Sequence, residues 1–383
     1  MGIVPTPNTE PLARNEQTMR YRRLGKTDLM VSALSMGCMR LSEDQEHNDK
    51  LISTALDRGI NYFETTRGYC GGRCQHYAAP GIKGRVKGII ISGKAEVRPE
   101  TTSYSFLKEI ELQLGILGLT HFKFFQVGWF KWPRMPYLLR RGGALEVIHR
   151  AKDEGLIQYV GFTTHDTSEN CIRIMETGLF DSITVPYNLL YRGYERTIKR
   201  AGELGIGVVA MCPVGGGALA YDSHELKNVL NMDMPTAEMA LRFVLSNPDV
   251  STACSGMTKV EFIKQNARTV KEFDPERSDI HELMCEGVDR LREKVGEKIC
   301  TNCGYCMPCQ QGVNIPHHME LHRNWQLFGL DATSENWPGD WVRNGLSELV
   351  DEQKAANCNQ CGECEDKCPN ELPVRDTLAK LAL

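Results

Sequence analysis

Two runs of cysteine in the last quarter of the chain carry the strongest chemical signal. The first is Cys300, Cys303, Cys306 and Cys309, each separated from the next by two residues. The second is Cys358, Cys361, Cys364 and Cys368, with Pro369 directly after. Thiolates are soft ligands that suit zinc or iron–sulfur clusters. Three cysteines at x-x spacing wrap three corners of one cubane, and a fourth points away to a neighbouring cubane. Structural zinc usually takes two separated pairs instead. Two successive quartets therefore predict two 4Fe–4S clusters with crossed ligands. Cys300, Cys303, Cys306 and Cys368 would hold one, and Cys358, Cys361, Cys364 and Cys309 the other.

The second run has the spacing of a bacterial ferredoxin, Cys-x-x-Cys-x-x-Cys-x-x-x-Cys-Pro. The first departs from it: only two residues separate Cys306 from Cys309, and no proline follows directly. The chain has 15 cysteines in 383 residues, and eight of them fall in these runs. An odd total in clustered spacing argues against a disulfide framework and for ligation in a reducing cytoplasm. A net charge of −4 suggests neither nucleic acid nor an acidic membrane surface as partner. No apolar run approaches the ~20 residues that span a bilayer. The polar, proline-containing start, residues 1–19, reads as a tail and not as a secretory signal.

The elements that must position this chemistry follow from periodicity. Eight short apolar or β-branched runs recur: Val31–Cys38, Asn61–Glu64, Gly88–Lys94, Phe122–Val127, Tyr159–His165, Ser182–Tyr187, Gly207–Val214 and Val250–Gly256. They read as buried parallel strands. Between them lie amphipathic stretches, with Gly59, Gly155, Gly178 and Gly205 placed as helix C-caps. Strand and helix alternating eight times predict a (β/α)8 TIM barrel, with its active site at the C-terminal strand ends. Residues 20–295 are assigned to the barrel and a connector helix, and residues 296–383 to a small, mostly α-helical ferredoxin-like domain. Within the latter, His317–Phe328 and Gly345–Ala355 read as helices.

Several barrel segments resemble the aldo/keto reductase family. They are Tyr21–Ser32 followed by Gly37–Arg40, Ala55–Glu64 followed by Gly68-Tyr69, and Gly256–Asn266. The whole chain resembles the branch of that family with a C-terminal two-cluster ferredoxin domain. The resemblance implies a catalytic tetrad of Asp, Tyr, Lys and His, in which a lysine-tuned tyrosine protonates the substrate while hydride arrives from nicotinamide. Tyr69 matches the tyrosine and Lys94 the lysine. Glu64 stands at the aspartate position, and Gly128 replaces the histidine. The resemblance also places the cofactor among Thr163, Thr164, Met211, Lys259 and Asn266, with Phe262 where an arginine would fork the 2′-phosphate of NADPH. On this ground NAD(P) is expected to bind without preference for the phosphate.

Four further cysteines fall near strand ends: Cys38, Cys70, Cys74 and Cys212. They could hold an extra metal or cluster at the barrel mouth, or form a redox dithiol. Together these features predict an iron–sulfur oxidoreductase. A small-molecule substrate would sit at the mouth, an external protein would give or take electrons, and Tyr69 would be the proton donor. A simple NAD(P)H-dependent carbonyl reductase, or a non-catalytic electron carrier, are the alternatives.

Overall fold

A computed structural model describes residues 14–86, 88–220, 222–274, 279–295, 300, 303–328 and 345–382. The chain divides into two compact units. The first comprises residues 1–187, 193–213 and 244–276, and the second residues 188–192, 214–243 and 277–383. The segment 214–243 groups with the C-terminal residues.

In the first unit a short hairpin, β1 (Tyr21–Arg23) and β2 (Met30–Ser32), precedes eight barrel strands. These are β3 (Leu34–Gly37), β4 (Tyr62–Glu64), β5 (Ile90–Glu96), β6 (Phe122–Gly128), β7 (Ile157–Thr163), β8 (Ser182–Pro186), β9 (Gly207–Met211) and β10 (Thr252–Ser255). All pair in parallel in sequence order, and β10 closes on β3. The (β/α)8 barrel expected from periodicity is present. Gly59, Gly155, Gly178 and Gly205 all have positive φ at the ends of helices.

The run Val31–Cys38 is two strands and not one. The break lies at Ser32–Ala33. Ser32 N–H donates to Asn61 Oδ1 at 2.7 Å, and Asn61 N–H returns a bond to Ser32 Oγ at 3.1 Å. Ser32 Oγ also donates to the Leu34 carbonyl at 2.6 Å. Side chains thus take backbone partners that a continuous ladder would have used. The hairpin places Leu24, Leu29 and Val31 in one buried cluster with Tyr62, Ile90, Phe124 and Val209 of the barrel strands. Gly25 makes that approach possible: its φ is +55°, and a Cβ there would lie 2.3 Å from Gly207 N. The end of the presumed tail is also ordered, since Thr18 Oγ1 donates to the Arg58 carbonyl and Met19 is buried.

In the second unit, the helix Ile315–Phe328 and the helix Val374–Leu381 enclose a small apolar core of Val313, Ile315, Met319, Leu372, Val374 and Leu378. Cys364 is buried in it, and Cys300, Cys306, Cys309, Cys358 and Cys368 pack against it. Gly345–Ala355 does not form the single helix its pattern suggests. Val350 and Lys354 are extended, flanking a 3-10 turn at Asp351–Gln353. The Gln353 carbonyl accepts from Asn314 N–H at 3.1 Å, and Ala355 N–H donates to His318 Nε2 at 3.1 Å. These tertiary bonds replace helical ones. No described helix is long and apolar enough to cross a membrane.

Candidate active site

Tyr69, Lys94 and Glu64 meet in one hydrogen-bonded line. Lys94 Nζ donates to Glu64 Oε1 at 2.6 Å and lies 2.9 Å from Tyr69 Oη. The lysine and glutamate side chains are 7% and 5% exposed, so the pair is shielded from water. Tyr69 is half-buried and follows β4 by five residues. Glu64 ends β4, and Lys94 sits within β5, directly beside it in the barrel.

The longer arm of glutamate is fully used. Glu64 Oε2 accepts from Gln126 Nε2 at 3.1 Å and from Tyr62 Oη at 3.3 Å. Gln126 also donates to Ser92 Oγ at 2.8 Å and accepts from Thr184 Oγ1 at 2.7 Å. A buried ion pair is tolerated when its remaining lone pairs are satisfied, and here both carboxylate oxygens are. The sequence reading missed Tyr62 and Gln126. A glutamine inside the otherwise apolar run Phe124–Val127 was the available signal.

The charge states follow from these contacts. Burial alone would lower the Lys94 pKa, but Glu64 and Tyr69 outweigh it and the pKa rises above its ordinary value. Lys94 is therefore a fixed cation. Burial pushes the Tyr69 phenol up and Glu64 adds to this, while Lys94 pulls it back. The net position is above the ordinary value. Burial is the reason, and the phenol stays protonated, as a proton donor must be.

A glutamine clamp fixes Lys94 from behind. Gln113, on the helix Ser103–Leu117, donates to the Lys94 carbonyl at 2.6 Å and accepts from its N–H at 3.2 Å. Gln75, on the helix Cys74–Ile82, donates to Gln113 Oε1 at 2.8 Å. Gln113→Leu strands two buried backbone groups, each costing about 1–3 kcal/mol. The expected result is a cooperative thermal transition lowered by several degrees; an unchanged melting temperature contradicts the clamp.

Gly128 ends β6. A Cβ there would rest at 3.6 Å from Ala95 O, Lys94 Cβ and Glu96 Cγ, which is ordinary contact. Space for a side chain exists, yet the sequence places none. Trp129 follows with φ +51°, its N–H donating to Thr163 Oγ1 at 3.0 Å. Its indole meets the His165 ring edge-on at 6.0 Å. Burial, with the charges of Lys131 and Lys94, holds His165 down to about 3, so its ring is neutral.

Of the residues expected at a nicotinamide site, Thr163 and Thr164 accept internal hydrogen bonds. Thr163 and Thr164 are buried, and Thr164 Oγ1 accepts from Asp166 N–H at 3.0 Å. Asn266 is buried on the helix Val260–Glu272, and Met211 ends β9 half-buried. Lys259 Nζ stands 5.5 Å over the Phe262 ring. A guanidinium fork is absent at Phe262, so these residues do not fit the grip on a 2′-phosphate.

In the second unit the eight cluster cysteines line two cavities. One is bordered by Cys300, Cys303, Cys306 and Cys368, with Met319, Leu372 and Val374 as apolar wall. The other is bordered by Cys309, Cys358, Cys361 and Cys364, and also by Cys306. Burial, with Cys303, Cys300 and Cys368 close by, pushes the Cys306 thiol up to about 12. Thiols crowded in this way ionise only beside a compensating cation, which fits iron–sulfur ligation. At the barrel, Cys38 lies in the 3-10 turn Cys38–Arg40, Cys70 and Cys74 flank a glycine pair, and Cys212 lies one residue beyond β9.

Comparison with known proteins agrees with this architecture. Residues 33–283 match the aldo/keto reductase family model, and residues 299–373 match a 4Fe-4S dicluster domain. An uncharacterized oxidoreductase of Bacillus subtilis, YqkF, is 24% identical over 288 residues, covering 65% of this chain and 90% of that protein. The aldo-keto reductase AMT2 of Alternaria alternata is 24% identical over 243 residues, covering 52% of this chain and 66% of that one. Among solved structures, an aldo-keto reductase from Bacillus halodurans in its holo form superposes with a TM-score of 0.61. It is 24% identical and covers 70% of this chain and 96% of its own. The barrel, the matched segment and the cysteine-lined cavities agree: the chain is an oxidoreductase of the aldo/keto reductase family that carries a 4Fe-4S dicluster domain after its barrel.

Proposed function

We propose that the protein reduces or oxidises a small molecule at the barrel mouth, with single electrons entering or leaving by two 4Fe–4S clusters. The ligand sets are the crossed ones: Cys300, Cys303, Cys306 and Cys368, and Cys309, Cys358, Cys361 and Cys364. The observation that carries the proposal is the line Tyr69–Lys94–Glu64 in a chain that also holds two cysteine-lined cavities. Bound clusters supply electrons one at a time. The chain supplies the rest. Tyr69 Oη gives its proton to the substrate, Lys94 stabilises the phenolate left behind, and Glu64 holds Lys94. Gly128 leaves open the place of an orienting histidine, which suits an activated C=C or C–X bond better than a simple aldehyde. An external donor or acceptor protein and a cytoplasmic setting belong to the same proposal.

The test starts from anaerobic protein reduced with dithionite and desalted. Aldehydes, quinones and α,β-unsaturated carbonyls are added in turn, and recovery of the visible cluster absorption is followed. An activated alkene or quinone is expected to reoxidise wild type and to leave Tyr69→Phe reduced. Equal reoxidation of both proteins, or reduction of simple aldehydes with NAD(P)H alone, overturns the proposal.

Two further results are expected. NADPH should bind no more tightly than NADH, because Phe262 lacks the charged contact. Such a contact is commonly worth roughly 1.5–3 kcal/mol, about ten- to a hundredfold in affinity. Nucleotide fluorescence titration measures this, and a marked NADPH preference contradicts it. Gly128→His should lower the native reaction and gain no aldehyde reduction; a gain in aldehyde turnover would show that the glycine is only a loss.

A further inference from the structure

The thiols of Cys70 and Cys74 converge on one point. Cys74 Sγ donates to the Cys38 carbonyl at 3.4 Å, and Cys70 Sγ lies 3.8 Å from the same oxygen. Cys70 Sγ also donates to the Leu41 carbonyl at 3.2 Å and lies 3.4 Å from the Met39 carbonyl. Cys74 is buried and Cys70 half-exposed, so one sulfur is accessible and the other is sheltered behind it. The chain between them can give. Gly71 and Gly72 have φ of +60° and +92°. A Cβ at Gly71 would meet nothing within 4 Å, and one at Gly72 would meet only the Arg67 carbonyl at 4.0 Å. The outer side of this turn is therefore open.

We propose that Cys70 and Cys74 form a thiol–disulfide exchange site at the barrel mouth, taking a small-molecule or protein disulfide as co-substrate. The reaction balances without a further oxidant. The Cys70 thiolate attacks a disulfide R–S–S–R; one S–S bond forms as another breaks, and R–S⁻ leaves and takes up a proton. Cys74 then loses its proton and attacks Cys70 Sγ. The intramolecular disulfide forms, and a second R–S⁻ leaves to become R–SH. Two protein thiols and one disulfide thus give one protein disulfide and two small thiols.

The division of labour follows from the environment. The neighbouring Cys74 thiol draws the Cys70 thiol down to about 7, with burial opposing. The nearby Cys70, with burial, raises Cys74. The accessible sulfur is the attacking one, and the sheltered sulfur resolves. The turn is also the one that carries Tyr69. The Tyr69 carbonyl accepts from Gly72 N–H at 3.0 Å and from Cys74 N–H at 3.2 Å.

The test uses the anaerobically purified full chain and glutathione disulfide, with peptide mass mapping. Wild type is expected to gain a cross-link between residues 70 and 74 with no retained glutathione. Cys74→Ser should retain one glutathione on Cys70, formed at least roughly tenfold faster than on Cys171 or Cys285. Cys70→Ser should give no adduct at residue 74. An unchanged melting temperature serves as the folding control. If Cys74→Ser does not fold, the wild-type cross-link decides alone. A wild-type peptide that keeps both thiols, or adducts spread evenly over other cysteines, overturns the proposal.

Discussion

Lys94→Met is expected to destabilise the barrel by about 3–5 kcal/mol, the usual consequence of breaking a buried ion pair from one side. Glu64 would keep its contacts to Gln126 and Tyr62, but these are neutral donors and cannot replace a cation at 2.6 Å. Denaturant unfolding measures the loss. The double variant Lys94→Met, Glu64→Gln should recover much of it, because no uncompensated charge remains. A single variant as stable as wild type would mean that Glu64 reaches water. The pH dependence has a definite sign. The Lys94 pKa is raised on folding, so its contribution is complete below its ordinary value of 10.5 and is lost only as pH climbs beyond that. Wild-type stability should thus be insensitive to the titration of Lys94 across the neutral range.

Tyr69→Phe is expected to lower turnover by about 10²- to 10⁴-fold, the range of a positioned general acid. The iron content and the melting temperature should stay close to wild type, since the half-buried ring remains and only the hydroxyl is removed. Where Lys94→Met folds, its residual activity should show an alkaline limb displaced upward. Lys94 lowers the phenol pKa, so removing it raises the pH at which the proton is lost. Full turnover in Tyr69→Phe would take the phenol out of the chemistry.

The barrel was legible because its strands are short apolar runs separated by amphipathic helices with glycine C-caps, a local pattern with one global solution. The Tyr69–Lys94–Glu64 line was legible only through a family resemblance. Nothing in the spacing of residues 64, 69 and 94 says that they meet; the parallel pairing of β4 with β5 brings them together. Gln113 and Gln75 were not legible at all. They lie on helices where a glutamine normally faces solvent, and their burial depends on the tertiary approach to Lys94. The break at Ser32 was hidden for a similar reason, since Asn61 supplies half of it from a distant segment. The helical reading of Gly345–Ala355 failed because partners on Asn314 and His318 outbid local helical bonds.

The nature of the cysteine-lined cavities decides whether this chain is an electron-transferring oxidoreductase at all. Metal and acid-labile sulfide analysis of protein purified without oxygen tests it most directly. Two cubanes predict about eight iron and about eight sulfide per chain. About two zinc per chain, with no sulfide and no visible charge-transfer absorption, would contradict the account.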